Sequence, residues 1–303
     1  MNKLYYRYEM GAEFDPAVKD HFVNLRCVPM TNAIQQVYGS QVQIEAADYV
    51  CQKTDGQGNQ LTSCRIQALH TRFSMISQGI VFVDVNALEK EALEPCYGYF
   101  TDYTRPDDGL RSFFEESCRP VLAQGGTVWE QVREMMHVLY QHFSYEAGIT
   151  SVSTTAAEAF SLGKGVCQDY AQILITLCRM QGVFARYVSG FMTGEGATHA
   201  WVEIYDNGYW YGFDPTHDRT ITNYYIKVAH GRDSADCPME RGVFRGRTSQ
   251  KNWVKVLVQE HGAHVQPEGE NTYDRNGCIS RTAGGRASGC EEESSAAGGT
   301  DWK

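Results

Sequence analysis

Gly165-Val166-Cys167-Gln168-Asp169-Tyr170, then Thr198-His199-Ala200-Trp201-Val202-Glu203, then Gly212-Phe213-Asp214-Pro215-Thr216, set a thiol, an imidazole and a carboxylate in the chain order Cys, His, Asp. Cys167 opens a helix whose apolar face reads Ala171, Leu174, Ile175 and Cys178, with Gly182 as its stop. A helix start presents unpaired backbone N–H groups and the positive end of the dipole. That setting favours thiolate over thiol and can hold an oxyanion formed on an attacked carbonyl.

The second and third stretches form one hairpin. Asn207-Gly208 is a two-residue loop signal. It sets Asp206 opposite Tyr209, Tyr205 opposite Trp210, Glu203 opposite Gly212 and Trp201 opposite Asp214. Ala200, Val202 and Ile204 then make the core face, while His199, Trp201, Glu203 and Tyr205 point the other way. Asp214 shares a face with His199 as a diagonal neighbour at about 7–8 Å, within reach of an imidazole and a carboxylate.

Working outward, the second half of the chain has a helical period. Thr127 and Glu130 form a capping box ahead of Val128, Val132, Met135, Met136, Leu139 and Phe143, and Thr155 to Glu158 repeats the box before a short helix ending near Gly163. The first half is strand-like from Leu4 to about Val85, with Tyr6, Tyr8 and Met10 alternating against Tyr5, Arg7 and Glu9. Thr54 to Asn59 is a hairpin tip. The fold class expected is α+β, with an N-terminal β-sandwich-like domain over residues 1–100 and a catalytic domain over 101–260. Residues 261–303 hold Gly, Ser, Glu and Arg with almost no apolar anchors, so no fold is expected there.

Composition narrows the function. A net charge of -10 argues against a nucleic-acid partner, which needs clustered Lys and Arg. No run approaches the roughly 18 apolar residues of a membrane span, and Met1 to Met10 lacks the apolar stretch of a signal peptide, so a cytoplasmic location is expected. Ten cysteines without Cys-x-x-Cys pairs or zinc-like Cys and His spacing read as free thiols, with a Cys51–Cys64 disulfide as the less favoured alternative. No metal or cofactor is expected.

The motifs Gly-Val-Cys-Gln-Asp-Tyr-Ala at 165–171, Ala185 to Gly190, Thr198 to Glu203, Phe213 to Thr216 and Gly231-Arg232-Asp233 resemble those of the bacterial transglutaminase-like cysteine peptidases. The resemblance runs from about residue 130 to 258, and the β-rich first hundred residues look like the N-terminal region found in that family. It implies a papain-like α+β core with Cys167 as nucleophile, His199 as base and Asp214 as orienting acid. Where relatives often carry His five residues after the cysteine, this chain has Gln172, which is expected to tune the site without disabling it.

The chemistry expected is acyl transfer on an amide or peptide bond of a protein or peptide substrate, through a thioester on Cys167. An arylamine-type acetyltransferase with the same triad order, or a binding scaffold without catalysis, are the alternatives. Trp201 is expected to shield the imidazole-carboxylate pair and to border the substrate together with Gln168 and Tyr145. Gln168 and Asp169 also read as first-turn helix residues, with Asp169 complementing the dipole. Arg232 and Asp233 are expected to form a structural ion pair. His217, three residues past Asp214, is expected to be a solvated loop residue.

Overall fold

The computed structural model describes residues 1–260; the expectation for the tail 261–303 lies outside the described residues. Five strands come first: β1 (Asn2–Leu25), β2 (Gln35–Ile44), β3 (Tyr49–Thr54), β4 (Gln60–Ile66) and β5 (His70–Val83). Helices α1 (Asp108–Phe113), α2 (Arg119–Leu122) and α3 (Val128–His142) follow, then β6 (Ser144–Tyr145), α4 (Ala156–Leu162), β7 (Lys164–Gly165) and α5 (Cys167–Met180). The chain continues through β8 (Ala185–Met192), β9 (Gly194–Gly196), β10 (His199–Asp206), β11 (Tyr209–Asp214), β12 (Arg219–Thr220), β13 (Tyr225–Gly231), β14 (Glu240–Arg245) and β15 (Ser249–Glu260).

Local chemistry explains the helices. Thr127 with Glu130, and Thr155 with Glu158, form reciprocal capping boxes at the starts of α3 and α4. Gly163 ends α4 in the left-handed conformation, at φ 68°, where a side chain would be strained. One face of α5 packs with α3 and α4 against Ala185, Ala200, Val202, Ile204 and Phe213 of a five-stranded sheet ordered β12-β11-β10-β8-β13. This is the α+β core expected.

β1 is one continuous strand of 24 residues, far longer than the alternation around Tyr6, Tyr8 and Met10 alone marks out. Its first part pairs with β5 and β15, and its second part with β4 and β14. Leu4, Tyr6, Tyr8 and Met10 all point into a second core, as their alternation predicts. The domain boundaries require a correction. β15, placed by sequence in the catalytic domain, pairs with β1 from Leu4↔Glu260 to Asp15↔Ser249 and completes the N-terminal sheet. Such a pairing joins residues more than 230 positions apart, and no local signal encodes it.

Two buried amides fasten this strand-rich part to β13, the edge of the five-stranded sheet. Gln35 accepts from the Lys227 N–H at 2.8 Å and donates to the Lys227 carbonyl at 2.6 Å. Asn59, at the hairpin tip between β3 and β4, does the same at His230, accepting at 2.8 Å and donating at 2.9 Å. An amide carries one acceptor and two donors, so each side chain satisfies edge-strand groups much as another strand would. Cys64 pairs across the ladder with Val50, and Cys51 with Ser63; the two thiols lie on opposite faces of the hairpin and are free.

Candidate active site

α5 begins at Cys167 because the residues before it are arranged to start a helix. Asp169 Oδ2 accepts from the Val166 N–H at 2.7 Å and from Thr150 Oγ1 at 2.7 Å. A Cβ on Gly165 would overlap that carboxylate, so glycine is required there. Gly165 also pairs in parallel with Tyr145, and its carbonyl accepts from the Glu146 N–H at 2.9 Å. Two strand residues thus carry Tyr145 to the entrance of the Cys167 helix. Burial pushes the Asp169 carboxyl up, against the pull of its two hydrogen bonds.

The β10–β11 hairpin has the register read from Asn207-Gly208: Asp206↔Tyr209, Tyr205↔Trp210, Glu203↔Gly212 and Val202↔Phe213. Both loop residues have positive φ, at 51° and 98°, as a type I′ turn demands. The hairpin therefore carries His199 to Asp214 as predicted, with Nε2 2.8 Å from Asp214 Oδ2. An ionised carboxylate only accepts, so Nε2 is the donor and Nδ1 is the nitrogen left for other partners. His199 also stands beside the Cys167 side chain, close enough for Cys167 to influence the charge on the ring.

The electrostatics are those of a buried ion pair. Burial opposes charge on His199, yet the hydrogen bond to Asp214 and the neighbouring Cys167 and Asp214 outweigh it, raising the imidazole to about 10. Burial likewise works against charge on Asp214, and its donors hold the carboxyl well below the ordinary carboxylate range. The side chains of His199 and Asp214 are 10% and 0% exposed.

His217 departs from expectation in part. It is the exposed turn residue expected, but it also joins the site: its Nδ1 donates to the same Asp214 Oδ2 at 2.8 Å, and its ring centroid lies 5.4 Å from that of His199. The cause is local. Asp214 Oδ1 accepts from the Thr216 N–H at 3.0 Å, and the His217 N–H returns to the Asp214 carbonyl at 3.3 Å, folding Asp214-Pro215-Thr216-His217 back on itself. The Asp-Pro pair was a readable turn signal. Tyr225, which the sequence reading did not single out, donates to Oδ2 as well, at 2.7 Å, and takes a bond from Arg219 Nε at 2.8 Å. One carboxylate oxygen thus accepts from three side chains.

The residues expected to border the substrate separate. Tyr145 is 58% exposed; its phenol is raised by partial burial and by the charges of Cys167 and Asp169, which lie close to it. Gln168 Nε2 donates to the Ser151 carbonyl at 3.3 Å, so its amide ties the loop before α4 to the helix start. Trp201 is corrected: at 1% exposure it packs behind His199 and against Tyr225, Val188 and Ile221, and cannot touch a substrate. Arg232 pairs with Asp236, at 2.8 and 2.9 Å, and not with Asp233. Gln172 is buried, donating to the Thr154 carbonyl at 3.0 Å and accepting from Ser234 Oγ at 3.2 Å.

Sequence-model comparison assigns residues 117–215 to the transglutaminase-like superfamily and residues 5–82 to the bacterial transglutaminase-like N-terminal region. The chain belongs to the transglutaminase-like superfamily. It is similar to an uncharacterized protein of Mycobacterium leprae, 27% identical over 265 residues, covering 79% of this chain and 92% of that one. An uncharacterized protein of Mycobacterium bovis is 37% identical over 145 residues; the match covers 43% of this chain and 46% of that relative's length. Among solved structures, a candidate cysteine protease from Cytophaga hutchinsonii superposes with a TM-score of 0.71 at 19% identity, covering 92% of this chain and 96% of that one. At that identity the likeness shows the fold alone. Among the described residues, no helix is long and apolar enough to cross a membrane.

Proposed function

We propose that this chain is a cysteine-dependent acyl-transfer enzyme acting on amide or peptide bonds of a protein or peptide substrate. The observation that carries the reading is that one imidazole, His199, hydrogen-bonds a buried carboxylate, Asp214, and stands beside Cys167 at a helix start. In this reading the Cys167 thiolate, held against His199 imidazolium, attacks the carbonyl carbon. The backbone N–H groups at the start of α5 hold the oxyanion. His199 gives its proton to the leaving amine, and the C–N bond breaks to leave a thioester on Cys167. Asp214 acts through His199, fixing its tautomer and its charge. Water resolves the thioester in hydrolysis and a second amine in transamidation. No cofactor enters this scheme, and its thiol chemistry suits the reducing cytoplasm in which we place it.

The test is covalent. An electrophilic amide-mimicking probe should label the wild-type chain at Cys167, located by peptide mass mapping, and should leave Cys167→Ala unlabelled. Labelling spread evenly over the other thiols would sink the proposal. Supplying a primary amine to the acyl-enzyme and identifying the product then separates hydrolysis from transamidation.

A further inference from the structure

His199, Asp214 and His217 do more than share hydrogen bonds. Among the described residues, their three ligand atoms lie within 4.8 Å of one another. Both imidazole nitrogens stand 2.8 Å from the same carboxylate oxygen, each with a proton pointing at it. Two imidazoles and a carboxylate are a donor set suited to Zn²⁺ and its neighbours in the first transition row, which need N–metal and O–metal distances of about 2.0–2.2 Å.

We propose that this trio is a divalent transition-metal site, and that the ion competes with catalysis by taking the nitrogen through which Asp214 orients the base. The carboxylate is already held as a metal ligand must be: the Thr216 N–H fixes Oδ1 and Tyr225 OH fixes Oδ2. The site is reachable from solvent through His217, whose side chain is 39% exposed, while Asp214 is wholly buried. The proton balance is simple. His199 releases its Nε2 proton to water and keeps the one on Nδ1; His217 binds as the Nε2–H tautomer, its Nδ1 proton passing to solvent; the ion takes both vacated nitrogens and Oδ2. Three protein ligands leave a further position for water. With Nε2 on the metal, His199 no longer draws on the Asp214 charge through a hydrogen bond, and proton delivery to a leaving amine fails. This inhibition rests on the acyl-transfer reading; the binding itself does not, because Cys167 is not among the ligands.

The experiment uses the full chain with Cys167→Ala, which removes the thiol and keeps all three ligands. Co²⁺ is titrated as the probe, followed by its visible d–d absorption and displaced with Zn²⁺. The expected result is one equivalent bound without a thiolate-to-cobalt band. Affinity should fall at least 30-fold when His217→Ala or His217→Asn is added, with circular dichroism verifying the fold of each. Separately, Zn²⁺ should slow labelling of the wild-type chain, and His217→Asn should need at least tenfold more Zn²⁺ for the same slowing. Equal Co²⁺ affinity with and without His217, or loss of binding on removing Cys167, would overturn the proposal. If the wild-type chain is not labelled by the probe at all, the acyl-transfer reading fails, and the cobalt titration still decides the metal site.

Discussion

Asp214→Asn tests the centre of the site. The rise of His199 from 6.5 to about 10 corresponds to about 5 kcal/mol of preference for the protonated ring, divided between Asp214 and Cys167. Asparagine keeps the volume and a hydrogen bond but removes the charge, and its amide can select the wrong tautomer. If the ring returned to its ordinary value, only about 3% would be protonated at pH 8, so loss of the proton donor alone costs about 30-fold. Misorientation adds to this; the same substitution in the Ser-His-Asp triad costs about 10⁴. The assay is single-turnover acylation by an acyl p-nitroanilide, whose leaving amine needs a proton, followed from pH 6 to 11. Wild type should lose activity as pH rises through about 10, because the imidazole must be charged to donate. In Asp214→Asn that limb should move to lower pH, with acylation at pH 8 reduced by at least 100-fold. Stability gives a control of fixed sign. A raised imidazole stabilises the fold fully below its unfolded value near 6.5 and loses that contribution as pH rises through about 10, so the wild-type thermal midpoint should fall over that window and the variant's much less. An unmoved alkaline limb, or a loss under tenfold at pH 8, would refute the reasoning.

Other outcomes follow from single contacts. His217→Ala removes one of three donors to Asp214 Oδ2; given its exposure, differential scanning fluorimetry should report a loss of about 1 kcal/mol, with acylation slowed by less than tenfold. Gly165→Ala drives a methyl group into the Asp169 carboxylate that caps Val166, and should cost about 2–3 kcal/mol in urea denaturation while depressing Cys167 labelling more than any other thiol's. Lys227→Met breaks a fully buried cluster in which Glu203 Oε2 takes bonds from Lys227 at 2.5 Å and Arg186 at 2.6 Å. Burial and the Arg186 charge lower Lys227 to about 8, and its removal should cost about 3–5 kcal/mol by chemical denaturation.

What could be read from residues alone was whatever local chemistry decides. Asn207-Gly208 admits positive φ at two successive positions, so the register that joins His199 to Asp214 follows from a dipeptide. Thr127 and Thr155 with their glutamates mark helix starts by bonds spanning three residues, and the alternation of Tyr6, Tyr8 and Met10 names the buried face of β1. Tertiary structure decided what depends on partners far along the chain. That β15 closes the N-terminal sheet is settled by the edge of β1, whose backbone groups need a partner strand, and many apolar strands could satisfy that demand equally in sequence. Trp201 could be seen to face His199, but whether that face meets solvent or Tyr225 depends on β13 returning beside β8. Glu203, Arg186 and Lys227 read as ordinary strand charges until three strands bring them into one buried cluster. Periodicity reports the direction of a side chain; only the packed neighbours determine what it meets there.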